Sequence, residues 1–433
     1  LDGYNIRRGF WETSDLMYRF SLQVMARKIA HLKSNPLPPA EAAVPDMQQL
    51  PAVTKMVERP RPFEVDLAAL EGMVKELSVL FKDYKELFNS NVMLVAVEQD
   101  NYRLTSENVR LKFPLGLVGL TVSASVRTTD GSTVSDVLAI SSLDNPADLP
   151  SIEELKKKVK DFADNLMELK ETPMIEEYYT GPVLFEGGAA SRLFTDNLLS
   201  PGRLLALRTM APARGMLDEQ LGRRIIDSRL TVKNYTTLAE YNGTPLFGCY
   251  EIDGDGVVPA AELTLVENGV FKRMLNGRVP TLKAPESTGS ARFMISPDNP
   301  MAIVSPGTIH VQASKGVGPE KLKKALLKAA KEADLEYAYI VRRIGGEASA
   351  VYKVNVKDGK EIRVRVNNLS APELTKLMDL KGISSDERVM NYFPNGVPAS
   401  LIYPSAIIVG DVEINRTTPK IEEEPVLKHP LQR

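Results

Sequence analysis

The sequence predicts an α+β protein, with N-terminal helices and a mixed sheet leading into a curved, barrel-like antiparallel β-domain that carries a few helices. Three observations predict this. Apolar residues recur at helical spacing over 13–33 and 66–88. Period-two alternation, broken by Asp-Gly and Asn-Gly pairs, takes over further along. The 433 residues, 43% of them hydrophobic, also suffice for two or three domains with sizeable cores. The expected division is 1–62, a helix and Pro-rich connector, then 63–173, an N-terminal α+β domain, then 174–433, a β-rich domain.

Thr13 or Ser14 can cap a helix over 13–33, in which Leu16, Phe20, Met25, Ile29 and Leu32 trace an apolar stripe. After it, Pro36, Pro38, Pro39, Pro45, Pro51, Pro60 and Pro62 deny the backbone regular hydrogen bonding and predict an extended connector. A second helix starts at Asp66 and turns Leu67, Leu70, Val74, Leu77, Phe81, Tyr84 and Phe88 inward. Strand signals at 92–97, 102–111 and 117–126 precede Thr129-Asp-Gly-Ser132, a hairpin turn because Asp-Gly tolerates positive φ. The chain then leaves the sheet for a helix. Ser151-Ile-Glu-Glu154 is a capping box, and Leu155, Val159, Phe162, Leu166 and Leu169 face a core. Pro173 closes this helix.

Gly181-Pro-Val-Leu-Phe-Glu186-Gly-Gly is an apolar strand running into a glycine turn. A short helix follows over 189–199 and is stopped by Pro201-Gly202. Helix N-termini after such turns offer free N–H groups to an anion or carbonyl. Residues 203–229 hold six arginines against Asp218, Glu219 and Asp227, with Gly202, Pro212, Gly215 and Gly222 interleaved. They read as a solvated loop or as a basic flap for a peptide carboxylate or phosphate, with Arg203, Arg208 and Arg214 as its candidates. Antiparallel strands are expected over 229–310, with Asn268-Gly269 at the tightest hairpin. A helix over 320–335 with Leu322, Leu326, Leu327 and Ala330 inward, a strand at 337–343, a hairpin over 352–366, a helix at 372–380 and a strand at 405–414 complete the series.

Fifty-four Lys and Arg nearly cancel 56 Asp and Glu, giving a formal charge of −2. That balance supplies no global field to gather nucleic acid, and no apolar run is long enough to span a membrane. Cys249 is the one cysteine and excludes an internal disulfide. The start at Leu1, without Met or a signal pattern, reads as an incomplete N-terminus. Zinc hydrolysis requires several His, Cys or carboxylate ligands. His31, His310 and His429 are not spaced as a pair, and a lone strand histidine such as His310 reads as structural. Cys249 sits in a strand-like neighbourhood that reads as buried and inert. Asp253 and Asp255 lack the further ligands of a calcium loop and read as a turn.

The stretch from Gly181 to Gly202 resembles the core of the TldD/PmbA family of bacterial peptidase-related proteins. Asp253-Gly-Asp-Gly256-Val-Val-Pro259, Leu265-Val-Glu-Asn-Gly269-Val-Phe-Lys272 and Ser287-Thr-Gly289-Ser-Ala-Arg292 are similar to the family's D-x-E-G-V-P, I-E-N-G-x-L and T-G-N-A-R stretches. Asn395-Gly396-Val-Pro398 is similar to its near-terminal G-V-P. The resemblance covers roughly 89–414. Metal-binding members carry H-E-x-x-x-H; laid without gaps from Gly181, its positions fall on Thr195, Asp196 and Ser200. Asp255 stands where the family has Glu, and 391–394 lacks the cysteine that joins the metal site in active members. The resemblance therefore implies a metal-free, cofactor-free partner chain whose Thr195, Asp196 and Ser200 line a substrate groove. It also implies a cytoplasmic address, extended peptides bound by strand addition, and a homodimer or a heterodimer with a metal-bearing paralogue. An active peptidase with an unrecognised site and a stand-alone peptide-binding or scaffold homodimer are the alternatives.

Overall fold

The computed structural model describes residues 2–416 except 60, 144, 210–215, 297–300, 347 and 367–368. Helix α1 spans Gly3–Ser34, ten residues longer at its start than the sequence predicts, because Asp2 caps it by accepting from the Tyr4 N–H at 3.0 Å. No residue of α1 is buried, and Leu16, Phe20, Met25 and Ile29 remain exposed. The connector is not wholly extended. It forms the short α2, Pro39–Ala42, and β1, Thr54–Met56, and its Gln48 is stitched to Arg278 by a 2.8 Å backbone bond.

Helix α3, Leu67–Val79, is capped by Asp66, with the Ala69 N–H donating at 3.1 Å. Of its expected inward residues Leu77 is buried, whereas Leu67 is exposed and Phe88 belongs to the next strand. Strands β2, Leu87–Leu104, and β3, Arg110–Arg127, form one long hairpin. The strand expected over 102–111 is interrupted by its turn, where Asn108 takes φ 61°. A strand absent from the sequence reading, β4, Thr133–Leu143, pairs antiparallel with β3 on the edge opposite β2, and β1 pairs parallel further along that same edge. Helix α4, Ile152–Glu171, has the predicted capping box, and all five predicted inward side chains are buried against this mixed sheet.

Three arginines clasp this part to the rest of the chain. Arg365, 2% exposed, donates to Thr172 O at 2.8 Å and Ser132 Oγ at 2.9 Å and pairs with Asp130. Arg343 pairs with Asp136, and Arg363 with Glu168.

Beyond it, β5 is Tyr179–Glu186, α5 Gly188–Leu198, β6 Leu230–Tyr235, β7 Glu240–Tyr241 and β8 Thr244–Pro245. Next come β9 Glu262–Glu267, β10 Val270–Phe271, β11 Ala291–Phe293, β12 Ala302–Val304 and β13 Thr308–Ala313. Helix α6, Pro319–Glu332, is followed by β14 Tyr337–Arg343, β15 Ala350–Asn355, β16 Glu361–Val364 and β17 Leu380–Ile383. The last elements among the described residues are β18 Glu387–Tyr392, β19 Ala399–Pro404 and β20 Ala406–Ile414. These strands build two six-stranded sheets, β10-β9-β6-β13-β19-β18 and β16-β15-β14-β5-β20-β17. Each is antiparallel except for one parallel pair, β13 with β19 and β14 with β5, and neither closes into a barrel. The helix expected at 372–380 is a single 3₁₀ turn, Leu374–Met378, and Leu380 already begins β17. Helix α5 shares one apolar core with both sheets, while α6 covers the β5-β14-β20 region from the other side.

Candidate functional site

The stretch that the sequence singles out folds as β5, a turn at Gly187 and α5. Gly187 takes φ 54°, and a Cβ there would stand 3.0 Å from Arg388 Nη1, so the turn requires glycine. Ala189, Ala190, Leu193, Phe194 and Leu198 turn into the core. Arg192, Thr195 and Asp196 are left on the outward side, with Thr195 half-buried and Asp196 exposed.

Thr195 Oγ1 donates to Asp196 Oδ1 at 3.1 Å, and Asp196 Oδ2 pairs with Arg192 Nη2 at 3.0 Å one turn back. Ser200 lies two residues past the helix and is half-buried. A zinc site needs imidazoles, thiolates or carboxylates converging at about 2 Å from the ion. Here two hydroxyls that keep their protons at neutral pH flank one carboxylate already engaged by a guanidinium. The residues do not fit the metal that the H-E-x-x-x-H members bind, in line with what the resemblance implies for this chain. Among the described residues, no three of His, Cys, Asp and Glu converge elsewhere either.

Of the flap candidates, Arg203 is half-buried at a turn where its N–H bonds Ser200 O at 3.0 Å. Arg208 reaches back to the connector, donating to Val44 O at 3.2 Å and to Pro45 O, with Asp46 at 3.7 Å. Arg214 lies outside the described residues, as do Pro60, Pro212, Gly215 and His429. Leu204, Leu205 and Ala206 are core residues, so the expected excursion begins as part of the wall. An open groove of about 710 Å³ lies between the C-terminal end of α1 and the segment around Arg208.

His31 is exposed on α1. His310, on β13, has Nε2 3.0 Å from Glu387 Oε1 and Nδ1 3.3 Å from Gln312 Nε2. Burial alone would raise the Glu387 carboxyl, but the bonds from His310 and Tyr241 hold it below its ordinary value. Each ring nitrogen thus has a side-chain partner, as expected of a structural histidine.

Cys249 contradicts the sequence reading. It is exposed, in a turn rather than a strand. The physical reason lies one residue earlier, where Gly248 is pressed so closely on the Gly307 backbone that a Cβ would come within 2.3 Å. The chain bends away there and carries the thiol outward. Desolvation nevertheless pushes the thiol above its ordinary value, against the opposing pull of Arg292.

Cys249 lies at a cavity of about 250 Å³ between β3 and the segment 247–254 with the start of β11. Phe113, Leu115, Phe247, Ile252, Phe293 and Pro398 supply apolar walls, and Tyr250, Asp253, Arg292 and Glu251, the last paired with Lys55, supply polar groups. The Arg292 guanidinium stacks 4.1 Å from the centroid of the Tyr250 ring and donates Nη1 to Pro306 O at 2.8 Å. Asp253 accepts backbone N–H bonds from Asp255 at 2.9 Å, Val257 at 2.8 Å and Ala291 at 3.0 Å. Burial outweighs those bonds and pushes its carboxyl up to about 6. Asp255 pairs with Arg103 at 3.0 Å, so both aspartates hold a turn together, as the sequence indicates. Sequence reasoning had valued Ser287–Arg292 for its glycine. The signal it passed over is a charged residue, Arg292, set between Ala291 and Phe293 at the start of a strand.

The family model described as the PmbA/TldA metallopeptidase C-terminal domain matches residues 179–415. No curated protein matches the chain. TldE from Thermococcus kodakarensis is a similar solved structure, with 16% identity and a TM-score of 0.55 over 84% of this chain and 79% of that one. A protein described as a modulator of DNA gyrase from Thermotoga maritima gives 15% identity and a TM-score of 0.53, covering 86% of this chain and 81% of its own. At such identities the likeness is one of fold.

Proposed function

The chain belongs to the PmbA/TldA metallopeptidase family, and from that premise we propose that it is a peptide-binding subunit without a metal of its own that completes a proteolytic or peptide-maturing assembly with a metal-bearing paralogue. The observation that carries this reading is the outward end of α5, where Asp196 is committed to Arg192 and bonded by Thr195; with Ser200 these are the positions on which the resemblance lays the H-E-x-x-x-H of metal-binding members. Extended peptide is the substrate class, because one six-stranded sheet ends in β18 and the other in β16, whereas the outer edge of β10 is already bonded to Gly222 and Arg223 and that of β17 partly to Val317. Free edges offer main-chain donors and acceptors to an added strand. The partner subunit docks on α1. Phe10 and Trp11 are about 70% exposed and Leu16 and Phe20 more than half exposed, an apolar surface larger than a lone chain ordinarily leaves in water. Among the described residues, no helix is long and apolar enough to cross a membrane instead.

The test is cleavage of an unfolded polypeptide by the purified chain, by a metal-bearing paralogue, and by the two together. The expected result is no cleavage by this chain alone and cleavage by the mixture that is lost when Leu16 and Phe20 are both changed to glutamate. Chelator-sensitive cleavage by this chain alone overturns the proposal in favour of an active peptidase.

A further inference from the structure

We propose that the cavity between β3 and the segment 247–254 binds a carboxylate carried on an apolar body, the C-terminal end of a peptide chain with an apolar last residue. This deepens the peptide-binding reading above and rests on it for the choice of a peptide as the carrier.

Four arginines among the described residues are less than one-tenth exposed: Arg278, Arg292, Arg363 and Arg365. Three of them have a carboxylate partner. Arg278 stands 2.6 Å from Glu107, Arg363 pairs with Glu168, and Arg365 with Asp130. Arg292 has no ion pair among the described residues and uses one N–H on Pro306 O. A buried guanidinium without a counter-ion is costly, and its planar fork of donors matches a carboxylate two bonds at a time. Asp253 is near enough to act on Arg292 through space but makes no ion pair with it, its Oδ1 accepting from Asp255 and Val257 and its Oδ2 from Ala291. The Tyr250 ring covers one face of the guanidinium and directs an incoming anion to its edge.

The rest of the cavity selects what carries the anion. Its walls are Phe113, Leu115, Phe247, Ile252, Phe293 and Pro398, which reward an apolar side chain and give a bare, strongly hydrated anion nothing. At about 250 Å³ the space is smaller than a drug-sized pocket of roughly 300–1,000 Å³. It therefore takes one chain end and not a folded partner.

Cys249, the one cysteine of the chain, is an exposed reporter lining this cavity. The experiment follows the rate at which iodoacetamide, a small uncharged reagent, modifies it in the presence of N-acetyl-Leu-Leu as free acid, the same peptide as its amide, or inorganic phosphate. The free acid is expected to slow modification in a saturable way, with the amide needing about 10- to 100-fold more for equal protection, and phosphate giving none. Arg292→Gln is expected to abolish the preference for acid over amide while leaving the far-ultraviolet circular dichroism unchanged. Should that variant not fold, the acid-to-amide ratio on the unaltered chain decides. Equal protection by acid and amide, protection by phosphate alone, or no protection by either peptide overturns the proposal. The readout involves no metal, paralogue or cleavage, so the subunit reading can fail while this site stands, and the reverse.

Discussion

Replacing Arg365 by alanine is expected to cost about 3–5 kcal/mol of stability, the usual penalty for removing one member of a buried ion pair. The guanidinium is 2% exposed and joins the end of α4 through Thr172, the β3–β4 turn through Ser132 and Asp130, and the strand it follows, β16. Without it the Thr172 carbonyl and the Asp130 carboxylate lose their partner at one point. Arg365→Met, which keeps the apolar stem, is expected to fall between wild type and alanine. Burial alone would raise the Asp130 carboxyl, but bonds from Thr128, Ser132 and Arg365 bring it down to about 2 from an ordinary 3.8. The stability this carboxylate contributes is therefore present above the unfolded value and is lost as pH falls toward 2. Urea denaturation midpoints of wild type and Arg365→Ala should be widely separated at pH 7 and draw closer between pH 4 and 2, a gap remaining because the bonds from Arg365 to Thr172 O and Ser132 Oγ do not titrate.

Asp227→Ala is expected to be nearly as severe, about 2–4 kcal/mol. This carboxylate is 5% exposed and accepts from the Arg229 N–H at 2.9 Å, Arg229 Nε at 2.8 Å, Arg229 Nη2 at 2.7 Å and the Leu380 N–H at 2.9 Å. It thereby fixes the segment entering β6 against the start of β17 and so links the two sheets. Asp227→Asn keeps one acceptor oxygen and should recover part of the loss. Thermal unfolding of the two variants side by side separates the charge from the bond count.

How far the sequence was legible depends on how local the determining interaction is. Helix α4 was read correctly, down to Ser151, Glu154 and five inward side chains, because its cap and spacing lie within its own residues. The β9–β10 turn was equally plain, since Asn268 at φ 47° and Gly269 at φ 79° adopt what Asn-Gly favours. Strand β4 was missed because Asp136 and Ser142 are buried polar residues that break its alternation; Asp136 is satisfied by Arg343, 207 positions away. The parallel pairings of β13 with β19 and β14 with β5 depend on distant segments and leave no local mark. For α1, the spacing of Leu16, Phe20, Met25 and Ile29 announced an apolar face but not that the chain leaves it uncovered.

Candidate site residues divide in the same way. Placing Thr195 and Asp196 on a helix that follows a glycine turn needed only the strand-turn-helix pattern, and both are there. That Arg192 would engage Asp196 is an i, i+4 relation readable from the sequence, although it was not drawn. Arg292 stood in a quoted stretch and between apolar neighbours, but that it makes no ion pair among the described residues is a property of the assembled cavity.

Metal analysis of the untagged chain after equilibration with zinc and desalting asks whether the outward end of α5 can hold a transition metal. A metal-free subunit requires that no stoichiometric ion be found. A zinc ion retained by every chain and released by Asp196→Ala would contradict it.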